Sequence, residues 1–74
     1  MTSKKYVAIF EKSKTGYSAY CPDLPGVGVA VKTYAQTRKF LPEGIDIYIE
    51  ECLADGLDVP EPTTRSESLD VKVA

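Results

Sequence analysis

The sequence has no histidine and only two cysteines, Cys21 and Cys52. The cysteines stand 31 residues apart with no Cys-x-x-Cys spacing, which argues against a structural zinc site and against a disulfide scaffold. Both thiols are expected to be small buried apolar groups, kept reduced in the cytoplasm. No apolar run approaches the about 18 residues that a membrane helix needs. The start, "MTSKKYVAIFEK", is charged but carries a run of only five apolar residues, at 6–10, so it does not read as a signal peptide. There is no internal repeat, no glycine-rich phosphate loop and no serine motif of hydrolase type.

What remains is a globular composition in 74 residues, with a net charge of −2. A chain this short holds one domain, here taken as residues 1–74, and its core is thin. The small net charge hides an asymmetry. Up to Lys39 there are seven basic and two acidic residues, a balance of +5; from Phe40 onward there are two basic and nine acidic, a balance of −7. The lysines of the first half are scattered rather than clustered, so direct DNA binding is not expected.

The hydrophobic pattern predicts three strands, a helix and a fourth strand. Residues 5–11, "KYVAIFE", are rich in β formers; Tyr6, Ala8 and Phe10 share one face, Val7 and Ile9 the other. A polar loop, "KSKTG", leads into an antiparallel strand over 17–21. The stretch "PDLPG" at 22–26 cannot continue that strand, because Pro22 and Pro25 lack N–H donors and Gly26 accepts positive φ. Pro22, Asp23, Pro25 and Gly26 are therefore expected to form a stiff structural turn, with Asp23 bonding its own backbone. A third strand, over 27–32, aligns Val27, Val29 and Val31.

Thr33 suits the N-cap of a helix that runs to Asp55, and Gly56 suits its C-cap. Leu41, Ile45, Tyr48, Ile49 and Cys52 fall on one side of it. Pro42 and Gly44 disturb this helix. Either it continues with a bend, which is the favoured reading, or Pro42 opens a second helix at its preferred first position. After a proline- and hydroxyl-rich loop, "SLDVKV" at 68–73 alternates cleanly and predicts a final strand.

Taken together, "YVAIFE", "GYSAY", "PDLPG", the helix ending "IYIEE" and "DG", and the "VPEP" at 59–62 resemble the HicB-like antitoxin family over nearly the whole chain. The resemblance implies an α+β, truncated ribonuclease H-like βββαβ fold. Its mixed sheet has four strands in order 3-2-1-4, and one bent helix lies on one face. It also implies a partner, a small RNA-cleaving HicA-type toxin whose active site the antitoxin covers. Many members carry a C-terminal DNA-binding domain. The chain ends at Ala74, so a stand-alone member without that domain is expected.

On this reading the chain is a non-catalytic interaction module, with no catalytic residues, no metal site and no cofactor. Ribonuclease H-type chemistry needs carboxylates converging on metal ions, and residues 5–10 supply none. The acidic second half suits a basic partner. Phe40, Ile47, Glu50 and Glu51 are the expected contact set on the outward helix face. The rival reading is a stand-alone homo-oligomeric structural or ligand-sensing domain with no toxin partner. A homodimer or higher oligomer is expected in either case. One helix covers one face of the sheet, and the first strands are apolar on both.

Overall fold

The computed structural model describes residues 4–74. Strands β1 (Ile9–Lys12), β2 (Tyr17–Tyr20) and β3 (Gly28–Val31) are followed by one helix, α1 (Tyr34–Ala54). The strands form an antiparallel sheet in the order β1-β2-β3. Phe10 stands opposite Ala19, and Ala19 opposite Val29. This register carries the apolar alternation of three strands onto one face, against which α1 packs.

The β1–β2 hairpin closes through a bond from the Ser13 N–H to the Gly16 carbonyl, 2.8 Å. Gly16 is required by space: a Cβ there would stand 2.3 Å from the Val31 carbonyl oxygen. The proline stretch is two consecutive turns. The Leu24 N–H donates to the Cys21 carbonyl and the Val27 N–H to the Leu24 carbonyl. Pro22 and Pro25 each hold the second position of their turn, and Gly26, at φ 81°, supplies the positive φ that a type II turn demands. Between the prolines, Leu24 turns inward and is 1% exposed. Leu24 joins Ala19, Cys21, Val27 and Leu41 in the core, with Tyr6, Ala8, Phe10, Val29, Ile45 and Tyr48 packed around it.

Helix α1 runs through Pro42 without interruption. The proline lacks the N–H that would reach the Arg38 carbonyl, so one bond of the ladder is missing. Both ends are capped. Thr33 accepts from the Gln36 N–H while the Gln36 side chain accepts from the Thr33 N–H, a complete capping box. At the other end Leu57 N–H donates to the Cys52 carbonyl and Gly56 N–H to the Leu53 carbonyl, with Gly56 at φ 70°. This is the paired bonding of a Schellman cap. The buried stripe is Thr37, Leu41 and Cys52, flanked by Ile45, Tyr48 and Ile49. Thr37 is fully buried and satisfies its hydroxyl on the Tyr34 carbonyl at 2.5 Å, so the helix needs no break to keep Arg38 exposed.

The four-stranded βββαβ expectation is corrected. Among the described residues no strand follows α1, and the fold is a three-stranded antiparallel sheet with one helix. The expected fourth strand, 68–73, pairs with nothing: Leu69, Val71 and Val73 are 74%, 77% and 86% exposed. Alternation makes a strand only where the segment can reach an edge. Here the tail crosses the sheet end instead. Tyr6 Oη donates to the Pro60 carbonyl at 2.6 Å and Lys4 Nζ pairs with Glu61 at 2.5 Å. Beyond them the tail is tied to Asp23 in the β2–β3 turn and then leaves the body. The radius of gyration, 14.5 Å, exceeds the about 11 Å of a compact chain of this length.

Candidate interaction surface

Two exposed regions of opposite charge flank the core. The first is the outer face of α1. Phe40, Ile47 and Glu51 are spaced seven and four residues apart, so they line up along the helix with Glu50 beside them. Phe40 is 37% and Ile47 56% exposed, and both glutamates are exposed. The structure therefore gathers all four expected contact residues on one face. Ile47 and Glu51 also border a groove of about 210 Å³, shared with Tyr48, Gly44 and the Gly26–Val27–Gly28 backbone. The proline turn thus forms one wall of the surface, which the sequence pattern did not reveal. Lys39 Nζ lies 5.6 Å from the Phe40 ring and covers that end with a cation.

The second region is the hairpin end of the sheet. Lys12, Lys14 and Lys32 are exposed there. Lys32 also lines a hollow of about 380 Å³, with Ser13, Thr15, Tyr17 and Ser18 among others. The Tyr17 ring packs edge-on to Tyr34, centroids 6.0 Å apart, and Phe10 packs on Tyr34 at 5.2 Å.

The turn residues Pro22, Asp23, Pro25 and Gly26 are where the sequence placed them, but Asp23 has another partner than expected. Its carboxylate does not bond its own backbone. It accepts from Thr63 Oγ1 at 3.1 Å, Thr64 N–H at 3.1 Å and Thr64 Oγ1 at 2.8 Å. These bonds from Thr64, with those from Thr63, hold the Asp23 carboxyl below its ordinary range. The turn is therefore a latch for the tail. Only the hydroxyl pair at 63–64 could have signalled it, and such pairs are common in loops.

Both cysteines are free and buried. Burial pushes the Cys21 thiol pKa up, Asp23 adding to it, and the thiol donates to the Val7 carbonyl at 3.2 Å. Burial, with Cys52 nearby, also raises Tyr48. Among the described residues no group of three or more Cys, Asp or Glu is placed to hold a metal ion. Among the described residues no helix is long and apolar enough to cross a membrane.

No family model matches the chain, and no curated protein matches it. Among solved structures it is similar to a chain of a HicA3 and HicB3 toxin–antitoxin complex. The TM-score is 0.67 and the identity 28%, over 81% of this chain and 70% of that one. With the three-strand, one-helix architecture, the likeness is to the HicA3 toxin of that pair and not to its antitoxin. It overturns the HicB-like antitoxin expectation and the ribonuclease H-like fold that came with it, and it gives no support to the rival reading of a sensing domain without a partner. The expectation of a non-catalytic chain falls too, because HicA-type toxins cleave RNA. The expected pairing with a HicA-type toxin is reversed by the same likeness. The part of the expectation that the likeness supports is the toxin–antitoxin link: the chain is similar to one half of such a pair.

Proposed function

We propose that the chain works as the toxin half of a toxin–antitoxin pair in the cytoplasm, cleaving RNA until a HicB-type antitoxin covers it. The observation that carries this reading is the match to the HicA3–HicB3 complex over four fifths of the chain. The charge layout supports a division of labour. RNA is repelled by the acidic outer face of α1 and is offered the exposed Lys12, Lys14 and Lys32 at the hairpin end of the sheet, where Lys32 lines the hollow. Phe40, Ile47, Glu50 and Glu51 are left for the protein partner, which must bring a basic patch with an apolar centre. The sequence has no imidazole, so any proton transfer in the cleavage falls to its tyrosines, lysines and carboxylates.

The test has two arms. Affinity capture from the native host should bring down a HicB-type protein, and Ile47→Glu should abolish that capture. The purified chain should degrade RNA, with or without magnesium, and the triple change Lys12→Glu, Lys14→Glu and Lys32→Glu should stop it. Capture of a HicA-type toxin instead, or RNA left intact at high chain concentration, overturns the proposal.

A further inference from the structure

The three most exposed large hydrophobic residues among those described lie on the tail. Leu69, Val71 and Val73 alternate with Ser68, Asp70 and Lys72, and all three apolar side chains are more than 70% exposed. A segment with this pattern has everything a half-buried strand needs except an edge. The molecule also has an edge without a strand. In the order β1-β2-β3 the outer side of β1 is unpaired among the described residues, and α1 packs over β2 and β3. Where the chain leads into β1, next to α1, lies a groove of about 270 Å³ lined by Tyr6, Ile45, Ile49 and Val59, together with Lys4 and Asp46. A strand laid along β1 would send alternate side chains into this groove and the others outward.

The chain's own tail is badly placed to fill that slot. Asp23 holds Thr63 and Thr64 at the β2–β3 turn, on the far side of β2 from the open edge. A return from that turn to a position outside β1 crosses about two and a half strand spacings, about 12 Å. The three residues between Thr64 and Ser68 span about 14 Å fully extended, which leaves no residue to reverse direction. A second copy has no such constraint. The charges also match between copies: Lys4 and Lys5 stand just before β1, while Glu67 and Asp70 lie on the tail.

We propose that residues 68–73 of one copy add as a strand to the β1 edge of a second copy, with Leu69, Val71 and Val73 seated in the groove next to α1. Applied reciprocally, the exchange gives a closed two-fold dimer in which each sheet gains a fourth strand and no apolar tail is left over. This proposal does not depend on the toxin reading, because it uses neither α1's outer face nor the hairpin lysines.

Light scattering on the full chain, together with hydrogen exchange at the tail amides, tests it. At tens of micromolar the full chain should show the mass of two chains, with the amides of 69–73 protected. The double variant Leu69→Asp, Val71→Asp should show the mass of one chain with those amides open, while its helical circular dichroism stays unchanged, since the core holds no tail residue. A one-chain mass for the full chain at high micromolar concentration overturns the proposal. So does a two-chain mass that survives in the double variant, which would place the interface on the open sheet face. Protected tail amides in a one-chain species would show that the strand folds back within one chain, and they overturn it equally.

Discussion

The body and the tail of this chain are held by different forces. Residues 9–56 are closed by packing: Leu24 and Leu41 are each at most 2% exposed, the helix is capped at both ends, and two tight turns leave no loose backbone. Residues 57–74 are held by polar contacts at a few points, the Tyr6–Pro60 bond, the Lys4–Glu61 pair and the Asp23 latch, and past Arg65 by none among the described residues. Apolar burial adds about 25 cal/mol for each Å² removed from water, whereas an exposed ion pair contributes little. The same residue type should therefore matter greatly in one region and hardly at all in the other.

Leucine gives the sharpest contrast. Leu24→Ala empties a fully buried site between two prolines that cannot move to fill it, and should cost about 2–5 kcal/mol. The whole chain is worth on the order of 4–11 kcal/mol, so a urea melt should show a large drop in midpoint or outright unfolding. Leu69→Ala, measured at a concentration low enough to hold single chains, should leave the midpoint in place. Equal losses at the two positions would mean that the tail is part of the folding unit after all.

Pro42→Ala should act in the opposite direction. The helix passes straight through position 42 and Pro42 is exposed, so alanine restores a ladder bond and a favourable propensity. A gain of about 1–3 kcal/mol is expected, read as a higher midpoint in the same melt. A marked loss would show that the proline sets a geometry which the body needs.

Gly26→Ala should come next in size. Nothing lies within 4 Å of an added Cβ, so the cost is backbone strain alone at φ 81°, about 1–2 kcal/mol. Gly56→Ala, at φ 70° in open space, tests the same strain at the helix end.

Local order was legible in the sequence where a short-range rule decides it. Thr33, Gly56, Pro25 and Gly26 stand where their caps and turn require, and the period-2 faces of three strands carried through to the register of Phe10, Ala19 and Val29. The failures are all long-range. The pattern at 68–73 is as strand-like as that at 5–11, but whether it pairs depends on where the tail is tied, and the tie joins residues 40 or more apart. Asp23 looks like any turn aspartate until Thr63 and Thr64 arrive. The shared outer face of Phe40, Ile47, Glu50 and Glu51 on α1 follows from helical spacing, whereas the groove wall supplied by Gly26–Gly28 needs the packed fold. The functional assignment failed for a different reason: it rested on resemblance, and a resemblance between short segments does not say which half of a complex a chain belongs to.

The latch itself should respond to pH, and it is the mildest way to separate tail from body. Asp23 has its pKa lowered by the bonds from Thr64 and, to a smaller extent, Thr63. A carboxylate held below its unfolded value contributes above that value, near 4, and its contribution is lost as the pH falls through the depressed folded value. The latch should therefore be fully closed from neutral pH down to the ordinary carboxylate range and should open only below it. The Thr64 amide signal reports this directly, since its N–H points at the carboxylate. Its shift should titrate with an apparent pKa below that of a free aspartate, while the amides of β2 and α1 stay where they are. Asp23→Asn should fix the Thr64 signal at its acid position across the range and speed exchange of that amide, with the urea midpoint of the body unchanged. A Thr64 signal that is already in the open position at neutral pH would remove the latch, and a body midpoint that falls with it would mean that the tie holds more than the tail.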